Sequence, residues 1–127
     1  MGQVAKHVFV GADNKPGTLA KVTAPLKEAG VSLTACCAWG EGNKANFALL
    51  TENNSKAIEV LKKAGYKPEE QEVVTTMIPH RVGSLAETAQ KLGQAGIDIQ
   101  FCYVTAAGGN ALAVFATNDN KKAAGLI

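Results

Sequence analysis

Apolar positions along the chain change period several times, and each change marks an element. Val4 to Gly11 is a run rich in β-formers and predicts a first strand. From Thr18 to Ala29, Leu19, Val22, Leu26 and Ala29 recur at helical spacing, and Gly30 closes the segment. Pro25 lacks the N–H that would bond the Lys21 carbonyl, so a kink or local irregularity is expected there. Val31 to Trp39 alternates, placing Val31, Leu33, Ala35, Cys37 and Trp39 on one face of a strand. Glu41-Gly42-Asn43 then turns the chain into Lys44–Thr51 as a hairpin. Ser55 to Ala64 predicts a second helix with Ile58, Leu61 and Ala64 inward and Gly65 as its stop. Tyr66 to Gln71 follows as a fourth strand and runs directly into another apolar run, Glu72–Ile78.

The pattern then repeats. A gapless offset of 66 positions aligns residues 14–61 with 80–127, and thirteen of the 48 pairs are identical. Average residue usage would give roughly three to five such matches. The identities include Gly17/Gly83, Leu19/Leu85, Ala20/Ala86, Gly30/Gly96, Cys36/Cys102, Thr51/Thr117 and Asn54/Asn120. Conservative pairs such as Thr18/Ser84, Lys15/Arg81 and Val31/Ile97 extend them. In the second copy Ile97, Ile99, Phe101 and Tyr103 alternate, and Ala107-Gly108-Gly109 is the hairpin turn before Asn110–Thr117.

Each copy reads strand, helix, strand, strand, helix, and the first adds a fourth strand. That order predicts an α+β protein of two ferredoxin-like βαββαβ units in tandem, with antiparallel sheets and the helices on one face. The units are expected at residues 1–71 and 72–127. The second lacks its last strand, because the sequence stops at Ile127 inside what would be its second helix. Either the chain is naturally short there or a partner strand covers the open edge of Glu72–Ile78. If the helices cover the Val31/Leu33 side, Cys36, Ala48, Leu50, Cys102, Val104, Leu112 and Val114 fall on the other side. A face that apolar predicts association, as a homodimer or through sheet-to-sheet packing.

Composition narrows the function classes. With 46% hydrophobic and 19% charged residues the chain is globular rather than disordered. A formal net charge of +2, with Lys and Arg scattered, gives no nucleic-acid footprint. No apolar run is long enough to span a membrane, and the N-terminus lacks the layout of a signal peptide. Three cysteines, two of them adjacent, make a poor disulfide framework and fit reduced thiols in the cytoplasm. Cys36, Cys37 and Cys102 are the residues on which a rival metal or redox reading would rest. Adjacent cysteines do not supply the usual C-x₂-C ligand spacing, however. No G-x-S-x-G, H-E-x-x-H or P-loop occurs, and no spacing supports pairing a cysteine with His7 or His80, so a non-enzyme without metal or cofactor is expected.

The chemistry suggested by the sequence sits where each copy passes from strand to helix. Asn14-Lys15-Pro16-Gly17-Thr18-Leu19-Ala20 and His80-Arg81-Val82-Gly83-Ser84-Leu85-Ala86 occupy equivalent positions. A helix starting at such a corner leaves backbone N–H groups without intrahelical acceptors, and these attract carboxylates and phosphates. The bland alternative is a well-made corner with no ligand.

With Asn-Lys-Pro-Gly-Thr-Leu-Ala after the first strand, Ala-Gly-Val-Ser-Leu opening the second, and both repeated, the chain resembles a free-standing tandem ACT domain protein. The resemblance implies a regulatory protein that binds a free amino acid and acts on a partner enzyme of amino-acid metabolism. It implies ligand contacts from Ala12, Asn14, Gly17, Thr18 and Leu19, with Ser32, in the first copy. In the second it implies Ile78, His80, Gly83, Ser84 and Leu85, with Asp98. Side-by-side units would bring the polar strand residue of one towards the loop of the other. A ligand-free assembly subunit is the alternative. The chain departs from the family pattern at Val82, which replaces the Pro before Gly, and at Asn14 and His80, which replace an acidic residue. Ser32 stands where family binders often carry Asn.

Overall fold

β1 (Gln3–Asp13) and β4 (Glu69–Pro79) are the long strands of a fold that repeats one plan twice. The first repeat continues from β1 into α1 (Thr18–Glu28), β2 (Leu33–Glu41), β3 (Lys44–Thr51) and α2 (Asn54–Lys63). The second continues from β4 into α3 (Ser84–Gln94), β5 (Ile99–Ala107), β6 (Asn110–Thr117) and α4 (Asn120–Ala124). This is a computed structural model and describes residues 2–127. The chain divides into two units, one of residues 6–71 and one combining the residues up to Ala5 with 72–127.

In the first unit β3 lies between β2 and β1, antiparallel to both, and the Glu69–Gln71 end of β4 flanks β1. The fourth strand therefore begins at Glu69; Tyr66 packs partly buried against the core ahead of it. The core joins Val8 and Val10 of β1, Val22 and Leu26 of α1, Ala45, Phe47 and Leu49 of β3, and Ala57 and Leu61 of α2. Each fully buried Leu or Val contributes roughly 1.5–3 kcal/mol of transfer free energy, which makes this apolar layer the main support of the unit. α1 runs uninterrupted through Pro25 to Glu28, so the proline costs the Lys21 carbonyl its intrahelical donor without ending the helix. In α2, Ala57 and Leu61 are buried and Ile58 partly so, whereas Ala64 is the C-cap and exposed.

The second unit repeats the arrangement, with β6 between β5 and β4. Its core joins Val74, Ile78, Leu92, Ile97, Ala111, Ala113, Phe115, Ala123 and Ala124. The edge of β4 that its own repeat leaves without a strand is covered by the start of the same chain. Gln3 lies beside Thr75–Met77, and the Gly2 N–H donates to the Ile127 carbonyl.

Several repeat identities are explained by a clamp found in both units. Asn54 accepts from the Thr51 hydroxyl (2.6 Å) and donates to the Lys6 carbonyl (2.9 Å), tying the start of α2 to β1. Asn120 accepts from the Thr117 hydroxyl (2.8 Å) and donates to the Glu72 carbonyl (3.0 Å), doing the same for α4 and β4. Asn53 and Asp119 cap these helices by accepting from the Lys56 and Lys122 N–H groups.

The alternation predicted for the second strands is broken in both units. Between Leu33 and Ala35 the register with β3 shifts, and it shifts again between Ile99 and Phe101. One extra residue on the bulged strand reverses the faces of everything after it. Cys36 thus pairs with Leu49, Cys102 with Phe115 and Val104 with Ala113, all on the helix side. Ala35, Cys37 and Trp39 move to the other side with Ala48 and Leu50, and Phe101 and Tyr103 join Val114 and Ala116 there. The expected placement of Cys36, Cys102 and Val104 on the face away from the helices is therefore corrected. Ala48, Leu50, Leu112 and Val114 do lie on that face. The rings of Phe9 and Trp39 meet on it at 6.1 Å, and those of Phe101 and Tyr103 stack at 6.4 Å.

Candidate functional site

In the first unit the strand-to-helix corner is built from its own hydrogen bonds. The Thr18 hydroxyl donates to the Asp13 carbonyl (2.8 Å) and accepts from the Lys15 N–H (3.2 Å). Gly17 precedes the helix at φ +88°, a left-handed conformation that a side chain would strain, and no side chain caps α1. The N–H groups of Leu19 and Ala20 have no intrahelical acceptor at that start.

Asn14 fixes the corner to the β2–β3 turn. Its N–H donates to the Asn43 carbonyl (2.9 Å) and its side-chain amide to the Gly42 carbonyl (3.1 Å). The amide passes directly over Gly40, where an added Cβ would stand only 2.6 Å from Asn14 Nδ2. Asn14 is thus a tether of the loop. Gly40 carries no side chain because the tether lies where that side chain would be.

The corner opens on a cleft of about 290 Å3. Asn14, Lys15, Gly17, Thr18 and Leu19 form its loop side, Ala45 and the buried Phe47 its floor, and Ala38–Gly40 of β2 its far rim. Trp39 borders it along β2, while its register directs the side chain to the opposite face, against Phe9. Half-exposed Leu19 gives the cleft an apolar flank. Of the residues implied by sequence, Asn14, Gly17, Thr18 and Leu19 come together here. Ala12 packs on the core instead.

Ser32 lies at the opposite end of β2, in a separate depression beside α1 with Thr23, Lys27 and Val31. The loop is tied to the β2–β3 turn, so about nine residues of strand, roughly 30 Å, separate it from Ser32. Asp98 has the same relation to its own loop. Its backbone is held by Asn118, while the His80 N–H is bonded to the Gly109 carbonyl at the far end of β5. Asp98 and His80 are both exposed. A single unit does not bring loop and polar strand residue onto one ligand.

The second corner is built differently. Gly83 again stands at positive φ (+93°), but Val82, in place of the proline, is fully exposed. Ala106 occupies the position equivalent to Gly40, and its Cβ fills the path that the Asn14 amide takes in the first unit. Arg81 instead reaches forward to Glu87, donating two hydrogen bonds to its carboxylate (2.9 and 3.2 Å). That fork holds the Glu87 carboxyl below the usual carboxylate range and raises Arg81. The second cleft, about 260 Å3, lies on the inner side of this corner, between β4 and α3. Ile78 and Ser84 line it; His80, Gly83, Leu85 and Asp98 do not. Thr76 and Thr88, which line it too, stand where the first unit has Val10 and Val22. Those two apolar-to-hydroxyl exchanges are legible in the repeat and were the signal for this cleft.

Among the described residues there is no group of three or more His, Cys, Asp or Glu placed to hold a metal, and no helix is long and apolar enough to cross a membrane. The three cysteines are unpaired thiols, and burial and the neighbouring Cys37 push the Cys36 thiol up.

Two ferredoxin-like repeats, each with an uncapped helix start at a glycine corner beside a small cleft, define a tandem α+β fold. Comparison makes the class specific: the chain belongs to the ACT domain pair family, whose model matches residues 3–127. A crystal structure of a protein from Bacteroides thetaiotaomicron is similar, with 25% identity, a TM-score of 0.92 and coverage of 98% of this chain and 87% of that one. The ligand-free regulatory subunit of aspartate kinase from Thermus thermophilus shares the fold at 15% identity and a TM-score of 0.70, covering 98% and 93% of the two chains. The corresponding subunit from Thermus flavus gives 18% and 0.62, covering 97% and 93%. No curated protein matches the chain in sequence.

Proposed function

We propose that the chain is a non-catalytic regulatory sensor of a free α-amino acid, working in the cytoplasm as a homodimer on a partner enzyme of amino-acid metabolism. Membership of the ACT domain pair family supports the regulatory class. The regulatory subunits of aspartate kinase, which share the fold, offer the model of a small chain of this kind acting on an enzyme.

The observation that carries the reading is the uncapped start of α1 opening onto the first cleft. A ligand carboxylate placed there meets backbone N–H groups of Leu19 and Ala20, the positive end of the α1 dipole and the Lys15 ammonium. Leu19, Ala38 and Phe47 then offer an apolar surface to the ligand side chain. The volume suits a molecule of amino-acid size, at the lower limit of small-molecule pockets. Isothermal titration of ligand-stripped protein against the twenty amino acids tests this; saturable heat with at least one is expected, and silence with all of them overturns it. The second reading is an assembly subunit using the apolar sheet face, and the half-buried Phe9, Trp39, Phe101 and Tyr103 favour it. Association that persists with no amino acid bound, in light scattering, would point that way.

A further inference from the structure

The end strands of the two units are built for different neighbours. β2 and β5 each pair with one strand and turn their other edge outward. β2 is rich in alanine, cysteine and glycine and ends on Glu41. β5 reads Ile-Gln-Phe-Cys-Tyr-Val-Thr-Ala-Ala, with no charge and no proline, the devices that keep an open edge from adding another strand. Its isoleucine, aromatics, valine and threonine also favour strand pairing. Side-chain size points the same way. On the helix side of the first unit Ala38 is paired with Phe47, so the large ring sits on the middle strand and is buried. In the second unit Val104 is paired with Ala113, which moves the larger side chain to the end strand. Val104 is 37% exposed there, between exposed Cys102 and Ala106. Leu85, 41% exposed, is the equivalent of Leu19, which lines the first cleft together with Ala38. Where the first unit has a cleft, the second presents an apolar ridge beside an open strand edge.

Three properties select the occupant. An uncharged strand edge can pair antiparallel with a copy of itself about a two-fold axis, and an apolar ridge is complementary to itself. The third property is charge. Exposed Asp98 stands immediately before β5, while the His80 N–H is held by the Gly109 carbonyl just beyond its other end, with Arg81 following. Arg81 spends two of its five N–H donors on Glu87 and is itself exposed. Antiparallel overlap of two β5 strands carries Asp98 of each copy to the His80–Arg81 corner of the other, so opposite charges face each other at both ends. The first unit offers no such match, because Ser32 stands in the place of Asp98 and Asn14 in that of His80.

We infer that two copies of the chain associate through the second unit, β5 against β5, with Val104 and Leu85 packed at the centre and Asp98 facing the partner copy's corner at each end. The inference rests on the homodimer reading above and gives the dimer a surface apart from the first cleft and from the sheet face. The second corner is then an assembly surface, and the first corner, with its cleft open, is the one left to face a ligand.

The test joins sedimentation velocity of the whole chain, over a range of concentrations, to pulsed alkylation with iodoacetamide read by mass spectrometry. Cys36 and Cys102 are equivalent exposed thiols, one on each end strand, and serve as an internal comparison. In the dimer Cys102 should be alkylated about tenfold more slowly than in the dilute monomer, while the rate at Cys36 stays the same. V104D, which drives a carboxylate into the dimer centre, and D98K, which sets like charges together at both ends, should each raise the dimer Kd about tenfold or more. Both positions are exposed in the single chain, so either variant can report if the other fails to fold. A dimer in which Cys102 is not protected, or whose Kd is unchanged in V104D and D98K, overturns this proposal and leaves the homodimer reading standing. A monomer at every concentration overturns both.

Discussion

Replacing Gly40 by alanine has an effect whose sign depends on Asn14. Gly40 lies in β2, away from the left-handed region, so alanine is compatible with its backbone. In that setting Gly→Ala stabilises by about 0.4–1 kcal/mol through the unfolded chain. In the wild-type background, however, the new Cβ stands 2.6 Å from the Asn14 side-chain nitrogen, closer than real Cβ contacts allow. The amide is the far end of a side chain and swings away, at the cost of its bond to the Gly42 carbonyl. That exposed bond is worth about 0.5–1.5 kcal/mol, which cancels or outweighs the gain. G40A alone should therefore be neutral to destabilising by about 1 kcal/mol, whereas in an N14A background it should stabilise. The coupling between the two sites is then about 1 kcal/mol, above the scatter of about 0.3–0.5 kcal/mol seen for independent sites. The four proteins of the cycle are compared by urea denaturation, followed by the fluorescence of the single tryptophan, Trp39, which reports the first unit. Equal effects of G40A in both backgrounds would refute the tether, and with it the account of why this strand carries glycine at the rim of the cleft.

Three further changes probe the fold around the sites. His7 is fully buried, and burial lowers its pKa from 6.5 more than the hydrogen bond to Gln71 raises it. The unfolded chain therefore takes up a proton near pH 6.5 that the folded chain does not. Stability is fully present above that pH and falls as the pH drops below it, by up to about 1.4 kcal/mol per unit, until the folded pKa is reached. Urea midpoints between pH 7.5 and 5 should show this decline in the wild type and a smaller one in H7V, which copies Val73 of the second unit. N54A removes the bonds to Thr51 and the Lys6 carbonyl, and a loss of about 1–2 kcal/mol is expected, with faster amide exchange at the start of α2. G17A meets no atom within 4 Å, so its cost is backbone strain alone, about 1–2 kcal/mol by thermal unfolding; an unchanged midpoint would contradict the left-handed cap.

The repeat, the element order and the family were legible because they rest on local signals: period, turn residues and a 66-residue offset. What the period could not show was the bulge. Leu33 and Ala35 look like neighbours on one face, and only the partner strand reveals that Thr34 is an extra residue. Cys36, Cys102 and Val104 were misplaced for that reason alone. The strand covering the second unit's edge was hidden for another, since residues 3–5 lie at the opposite end of the sequence from the edge they cover.

The candidate site divides in the same way. Glycine at the corner was legible because its backbone geometry is local, and Asn14 was legible as a loop residue. Its action as a tether was not, because that depends on Gly40 and Gly42 across the sheet. Some of the repeat identities serve construction: the positive-φ corners at Gly17 and Gly83 and the clamps at Asn54 and Asn120. The two corners part where the copies differ. Gly40 against Ala106 decides whether the loop can be tied across the hairpin. Val10 and Val22 against Thr76 and Thr88 decide whether strand and helix meet through apolar side chains alone or through buried hydroxyls as well. A duplicated fold keeps in both copies the residues that shape the corner, and it is free to diverge at those that face a ligand.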